Sequence, residues 1–209
     1  HTRHKHKVQA RGMRRIILVG YMGSGKTTIG RQLALALGLE FYDLDWYIET
    51  RYRSTVAQIF AQRGEDGFRE MERNMLHEVA EFEDIVLSCG GGTPCFFDNM
   101  DYLNAQGETV YLKATPEVLA RHLRMGRVER PLIKGKSEGE LLQYIQSSLQ
   151  AREPFYGKAK NIIDVNLLDN RAKIQDSVRL LCKTLHLPSP DCQRNKTRIQ
   201  SDRNEEMAN

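Results

Sequence analysis

The sequence predicts a three-layer α/β/α fold built on a five-stranded parallel sheet, and three observations carry that prediction. Short apolar strand patterns alternate with helical patterns through most of the chain, which is typical of a doubly wound parallel sheet. The first strand leads straight into a glycine-rich turn and a helix. The chain length of 209 residues suits one α/β domain with a full core.

The glycine-rich turn after the first strand, Ile16–Val19, has the spacing of a phosphate-binding loop: Gly20, four residues, then Gly25, Lys26 and Thr27. Glycines let successive backbone N–H groups point at phosphate oxygens, and the next helix adds its positive dipole end. Lys26 can reach the outer phosphates, and the Thr27 hydroxyl can bind Mg²⁺. A strand–helix turn without a ligand is the alternative. The residues predicted to bind nucleotide are Gly23, Ser24, Gly25, Lys26, Thr27 and Thr28.

Two carboxylates follow the second strand pattern, Leu39–Tyr42. This strand places Asp43 and Asp45 at the edge where open α/β sheets bind ligands. Since the two acids lie two residues apart on a strand end, both are expected to face the phosphates. The alternative is that they cap the following helix. Many ATPases with a phosphate-binding loop have an apolar strand that ends in a metal-binding aspartate, and this sequence shows no such strand. Mg²⁺ is therefore predicted at Asp43 and Thr27.

Two further segments carry residues that could contact a ligand. The third strand pattern, Ile85–Cys89, runs into the triple glycine Gly90–Gly92. Three glycines at a strand end allow a close approach to the backbone, or a tight turn. Arg69 follows an interruption at Gly64–Gly67 in a helical pattern, where it can meet an anion. Arg69 also has the spacing of an ordinary surface ion pair with Glu72.

The second half of the chain completes the alternation of helices and strands. Helices are predicted at about 98–106, 116–125, 138–152 and 172–185, and strands at 109–112 and 162–165. The helix after residue 137 is expected to end before Pro154. Residues 126–137 are basic, bounded by glycines and without a periodic pattern, which predicts a mobile lid. A plain solvated loop is the alternative.

The two ends of the chain differ from its body, residues 13–187, which are predicted to form a single domain. Residues 1–12 contain four basic residues and no acid, so they account for the whole formal charge of +4. They are interpreted as a disordered leader or a remnant of cloning, with metal binding by their histidines a distant second. Residues 188–209 are polar and predict a disordered tail. The neutral body argues against a nucleic-acid partner.

Composition also bears on the cellular compartment. No apolar run approaches the ~20 residues that span a bilayer, and no secretory signal pattern is present. The four cysteines form no Cys-x-x-Cys pair, so they are expected to be reduced thiols. We therefore expect a cytoplasmic protein without a membrane partner.

Taken together, these features resemble the shikimate kinase family, which belongs to the phosphate-loop kinases related to nucleoside monophosphate kinases. The resemblance covers roughly residues 14–186. The segments that carry it are Gly20–Arg31, Phe41–Asp45, Gly67–Glu70, Ser88–Gly92, Arg130–Leu132 and Arg152–Tyr156. A phosphate loop alone is weak evidence of a substrate, but the joint set is specific.

The resemblance implies an acceptor site for shikimate, a ring with one carboxylate and three hydroxyls. Arg69 and Arg152 are implied partners of the carboxylate, to which guanidinium groups bond at two points. Asp45 is the implied group that aligns or deprotonates the attacking hydroxyl. The backbone at Gly91 is the implied wall of the ring site.

The resemblance also implies the reaction and the groups that stabilise it. ATP and Mg²⁺ would be used to make shikimate 3-phosphate and ADP, in chorismate and aromatic amino acid biosynthesis. Lys26, Mg²⁺ on Thr27, and Arg130 of the lid would share the charge of the transferring phosphoryl group. Arg121, Arg124 and Arg127 are left open as nucleotide contacts. A monomer is expected.

Two other interpretations stay open from the sequence. One is a kinase for another small polyol acid such as gluconate, because two arginines and an aspartate would suit it as well. The other is a nucleotide-binding regulatory module that has lost catalysis. Retention of the acid-binding arginines together with Lys26 and Asp45 argues against the second, since a switch needs no acid pocket.

Overall fold

The computed structural model describes residues 14–126, 133–165 and 171–190, and these contain five parallel strands and seven α-helices. The strands are β1 Arg15–Val19, β2 Glu40–Asp43, β3 Ile85–Ser88, β4 Glu108–Lys113 and β5 Asn161–Asp164. The helices are α1 Lys26–Leu37, α2 Leu44–Tyr52, α3 Val56–Val79, α4 Asn99–Gln106, α5 Pro116–Met125, α6 Glu138–Tyr156 and α7 Arg171–Thr184, with a short 3-10 helix at Thr93–Cys95. None of these described helices has the length and apolar character needed to cross a membrane.

Some predicted segments fall outside the described residues. These are the leader, residues 1–12, half of the lid, residues 127–132 with Arg127 and Arg130, and most of the tail, residues 188–209. The predicted domain boundaries therefore stay predictions.

The sheet has the strand order β2-β3-β1-β4-β5, and every neighbouring pair is parallel. The predicted fold class is thus confirmed. The apolar residues of β1 are at most 2% exposed, because β1 lies in the middle of the sheet and is covered on both faces. The carboxyl ends of all five strands meet at one edge, so the loops after β1, β2 and β3 lie side by side.

The first half of the chain departs from the prediction in two places. The sequence predicts a helix from Trp46 to about Arg51, whereas helix α2 begins at Leu44, directly after β2. Helix α3 runs from Val56 to Val79 without the predicted gap at 64–67. Only Gly64 leaves the helical conformation (φ 69°, ψ −177°), which makes a kink of one residue that glycine tolerates.

Helix α6 was predicted to end before Pro154, and this was wrong, because the helix continues to Tyr156 with Pro154 inside it. Proline removes one N–H from the helical ladder. The contacts of the last turn offset that loss. The Tyr111 hydroxyl donates to Glu153 at 2.7 Å, and Tyr156 is completely buried. Packing against the sheet therefore overrides the local breaker signal.

Candidate active site

The loop between β1 and α1 has the backbone of a phosphate-binding loop. Gly20, Gly23 and Gly25 have φ values of 149°, 83° and 89°, a region that residues with a Cβ rarely adopt. Space is short as well, since a Cβ on Gly20 would lie 2.8 Å from the Leu112 carbonyl oxygen. Ser24 lies beneath the loop, fully buried, and its N–H donates to the Tyr21 carbonyl at 3.2 Å.

Lys26 opens α1 and is buried at the base of the loop. Its ammonium group donates to the carbonyl oxygens of Gly20 and Tyr21, at 2.7 and 2.9 Å. These bonds hold a positive charge beside the loop amides. A phosphate group bound by the loop would meet that charge directly.

Thr27, on α1, and Asp43, at the carboxyl end of β2, lie together. The Thr27 hydroxyl donates to one Asp43 carboxylate oxygen at 3.1 Å, and the other oxygen accepts the Trp46 N–H at 3.2 Å. Asp43 therefore both caps α2 and faces the phosphate loop, so the two sequence interpretations hold at once. A hydroxyl and a carboxylate are ligands that suit Mg²⁺, which takes few protein ligands beside water and phosphate oxygens. The described residues contain no group of three or more His, Cys, Asp or Glu placed to hold a metal.

Asp45 lies in the first turn of α2, not on the strand end that the sequence predicted. The correction follows from the cap at Asp43, which starts the helix one residue later. Burial, followed by the charges of Asp43 and Glu72, raises the pKa of Asp45 to about 6, although Lys26 opposes the shift. A carboxyl group with such a pKa is suited to accept a proton near neutral pH.

A cavity of about 440 Å³ joins the phosphate loop to the triple glycine. The predicted residues that line it are Gly23, Gly25, Lys26, Thr27, Thr28, Asp43, Asp45 and Gly91. Residues to which the sequence assigned no role also line it, among them Met22, Ser88, His122, Met125 and Ile174. Nucleotide-loop residues and acceptor-side residues thus share one space.

The pair of Arg69 with Glu72 is buried, so its interpretation as an ordinary surface pair was wrong, although Arg69 also contacts the exposed Glu65 at 3.4 Å. Its side chain is 11% exposed and that of Glu72 is 1% exposed, with 2.9 Å between the charged groups. Glu72 also accepts the Thr93 hydroxyl at 2.8 Å. Burial raises the pKa of Glu72, while Arg69 and the Thr93 hydrogen bond oppose that rise. The Nε–H of Arg69 has no hydrogen-bond partner among the described residues.

Arg152 lies on α6 with its guanidinium 5.3 Å from the centre of the Tyr21 ring. A Cβ on Gly91 would lie 3.4 Å from Nη1 of Arg152, and a Cβ on Gly92 would lie 2.6 Å from Nη2 of Arg69. Consecutive glycines therefore leave room for two guanidinium groups. This brings together the two arginines that the resemblance paired, although α3 and α6 are far apart in sequence.

A Cβ on Gly90 would lie 3.1 Å from a carboxylate oxygen of Asp45. The triple glycine thus contacts Asp45, Arg152 and Arg69 in turn. Of the three arginines whose contact with nucleotide was left undecided, Arg124 forms an ion pair with Glu138.

With this geometry in place, comparison with known proteins gives a consistent result. The family model described as shikimate kinase matches residues 22–182. The chain belongs to the shikimate kinase family. It is 56% identical to the shikimate kinase of Phocaeicola vulgatus over 174 residues, which cover 83% of this chain and 99% of that protein.

Solved structures agree with the family assignment. The crystal structure of the shikimate kinase from Bacteroides thetaiotaomicron is 51% identical, with a TM-score of 0.82, and the match covers 84% of this chain and 99% of that one. The shikimate kinase from Acinetobacter baumannii in complex with shikimate is 34% identical, with a TM-score of 0.70 and coverage of 84% and 94%.

Sequence reasoning missed three residues of this shikimate kinase site. Glu72 was seen only as a surface partner, since its burial cannot be read from i,i+3 spacing. Tyr156 belongs to a segment that carried the resemblance, but without a role. His122 donates through Nδ1 to the Gly23 carbonyl oxygen at 2.8 Å, and no signal in the sequence links residues so far apart.

Proposed function

We propose that this protein transfers the γ-phosphoryl group of ATP to the 3-hydroxyl of shikimate, giving shikimate 3-phosphate and ADP. This reaction belongs to chorismate and aromatic amino acid biosynthesis. The observation that supports shikimate as the acceptor is the pair of guanidinium groups of Arg69 and Arg152. They lie at Gly92 and Gly91, beside the cavity of the phosphate loop. A small acid held there lies next to the phosphates.

On the nucleotide side, residues 23–28 would bind the ATP phosphates through backbone N–H groups and Lys26. Thr27 and Asp43 would hold Mg²⁺, and their oxygens lie 3.1 Å apart. When bound, Mg²⁺ neutralises charge on the β- and γ-phosphates. Lys26 would leave its two carbonyl partners and donate to the phosphates instead. Arg130 of the lid, which lies outside the described residues, is proposed to add a further positive charge beside the phosphates.

On the acceptor side, Asp45 would orient the 3-hydroxyl and take its proton as the phosphoryl group is transferred. Arg69 and Arg152 would grip the carboxylate and hold the ring against Gly91. Because phosphoryl transfer needs positioning and charge stabilisation more than covalent chemistry, these contacts account for most of what the protein must do.

The test is an ADP-release assay with ATP and Mg²⁺ over a panel of small hydroxy acids that includes shikimate and gluconate. The expected result is ADP release that depends on shikimate and far exceeds that with the other acids. Preference for gluconate would assign a different polyol-acid kinase. No acid-dependent release would favour a nucleotide-binding module. The monomeric state and the cytoplasmic location stay predictions.

A further inference from the structure

The Tyr156 hydroxyl lies where the triple glycine meets helix α6. It donates to the Gly91 carbonyl oxygen at 2.5 Å. The guanidinium of Arg152, one helical turn earlier, lies beside the same glycine, since a Cβ on Gly91 would be 3.4 Å from its Nη1, and it interacts electrostatically with the Tyr156 hydroxyl. Burial raises the pKa of Tyr156, so the hydroxyl keeps its proton and donates it to the carbonyl, and its oxygen lone pairs stay available to the neighbouring guanidinium.

The Tyr156 side chain is held rigidly. It has no exposed surface, and its ring packs against Tyr111 with 5.1 Å between ring centres. The Tyr111 hydroxyl donates to Glu153, and Tyr21 and Ser148 share a hydrogen bond of 2.5 Å. These contacts fix the last two turns of α6 against the sheet, and with them the position of the Tyr156 oxygen.

The partner of that hydroxyl, Gly91, lies between the two halves of the site. A Cβ at Gly91 would lie 3.4 Å from the Met22 nitrogen and 3.4 Å from Arg152, and 3.7 Å from the Gly20 oxygen. Because a peptide unit is planar, fixing the Gly91 carbonyl also fixes the direction of the Gly92 N–H. A tilt of this peptide would change the space left for both guanidinium groups.

We propose that Tyr156 is a positioning residue, whose hydroxyl holds the Arg152 guanidinium and the Gly91 peptide together as one acid-binding unit. The proposal rests on the function proposed above. It assigns a role to a residue that touches neither substrate. Loss of the hydroxyl would leave the arginine free to turn away and the glycine carbonyl without its partner.

A purely structural role is the competing explanation, and Tyr111 provides the matched control. Tyr111 is 1% exposed, packs against the Tyr156 ring and donates a hydrogen bond to Glu153, which lies on the same helix as Tyr156. Its hydroxyl, however, bonds to Glu153 and not to Gly91 or Arg152. Tyr111→Phe therefore removes the hydroxyl of a similarly buried tyrosine without touching the acid-binding unit.

The experiment compares Tyr156→Phe and Tyr111→Phe with the parent protein by steady-state kinetics and thermal unfolding. We expect Tyr156→Phe to raise KM for shikimate about tenfold or more, the scale of a lost hydrogen bond to a charged group, with KM for ATP within about twofold. Tyr111→Phe should lower the melting temperature by a similar amount and leave KM for shikimate within about twofold. Equal rises in KM for shikimate in both variants would overturn the proposal.

A second comparison combines Tyr156→Phe with Arg152→Ala. If the two residues act as one unit, the tyrosine change should alter KM for shikimate about twofold or less once the arginine is absent. Effects that multiply fully would overturn the proposal. Failure of the parent protein to phosphorylate shikimate would instead refute the proposed function, before any variant is compared.

Discussion

The phosphate loop is one continuous run, residues 20–28. The acceptor side is assembled from residues of α2, α3, the triple glycine and α6, which lie between positions 45 and 152. The loop is shaped by its own glycines and by the start of α1. The acceptor side depends on buried side chains that pair with one another, such as Glu72 with Arg69 and Thr93. Local backbone therefore builds one half of the site, and long-range packing builds the other.

The difference has a consequence for mutations. In the loop half, the residues that shape the site are the residues proposed to bind the ligand. In the acceptor half, several residues that shape the site are buried behind those proposed to bind it. Changes to the loop residues should lower turnover, whereas changes to the acid-binding arginines and to the buried residues behind them should weaken acceptor binding.

The largest effect is expected at Lys26. Lys26→Met removes the charge that would meet the transferring phosphoryl group, so kcat should fall by about 10³-fold or more. Lys160→Met is the matched control, since Lys160 also donates to a glycine carbonyl, that of Gly107 at 2.9 Å, but far from the site. Turnover of Lys26→Met close to that of the control would remove Lys26 from the mechanism.

The arginine pair should come next, and it tests the acceptor half. Replacing either Arg69 or Arg152 with alanine should cost about 2–5 kcal/mol in kcat/KM for shikimate, because a desolvated carboxylate loses its partner. Replacing both should cost less than the sum, since one shared contact cannot be lost twice. Arg73→Ala, which removes a more exposed arginine paired with Asp98, is the control and should have little effect.

A neutral analogue without the carboxylate sharpens the arginine prediction. It should bind poorly to the parent protein and should be nearly indifferent to the loss of Arg69. If the analogue is phosphorylated as well as shikimate, the carboxylate clamp is wrong.

Asp45→Asn should lower kcat by about 100-fold, the usual scale for a positioned base, and hardly change ATP affinity. The pKa of about 6 in the ligand-free protein predicts that kcat/KM for shikimate falls below pH 6, where Asp45 gains its proton. Asp101→Asn changes an acid at the same turn of another helix, α4, and serves as the control. An unchanged pH profile in Asp45→Asn would assign the titration to another group.

The same pKa predicts an effect on stability with the opposite sign. Because the folded pKa of about 6 lies above the ordinary 3.8, the folded state binds this proton more tightly than the unfolded state. The favourable contribution is complete below pH 3.8 and is lost as the pH rises through 6. At pH 7.5 the ionised group costs at most about 3 kcal/mol. Asp45→Asn should therefore melt several degrees higher than the parent at pH 7.5, and the difference should shrink toward pH 4.

How much the sequence could predict follows the same division. The five strands, the loop glycines and the start of a helix directly after the loop could be predicted from the sequence, because local spacing determines them. The end of α6 was not, since Pro154 signals a stop and only the burial of Tyr156 outweighs it. Asp45 was placed on a strand end because the sequence does not show whether the strand continues past Asp43 or whether Asp43 caps a helix that starts at the next residue.

The acceptor side was predictable in its parts but not in its arrangement. Arg69, Gly91 and Arg152 were named from the resemblance. Their convergence depends on which faces of α3 and α6 turn toward the triple glycine, and single-sequence spacing does not determine that. The buried partners Glu72 and Tyr156 were missed for the same reason.

The smallest expected effect, at His122, tests whether the phosphate loop shapes itself. Because the Gly23 carbonyl can only accept, Nδ1 of His122 carries the hydrogen of their 2.8 Å bond. His122→Asn keeps an N–H near the Nδ1 position, whereas His122→Gln moves its amide toward the position of Nε2. We expect His122→Gln to raise KM for ATP about fivefold, the scale of one neutral hydrogen bond, and His122→Asn to stay within about twofold. KM for shikimate should not change in either. Equal KM for ATP in the parent protein and both variants would show that the loop holds its shape without α5. The nucleotide half would then need no support from distant residues, unlike the acceptor half.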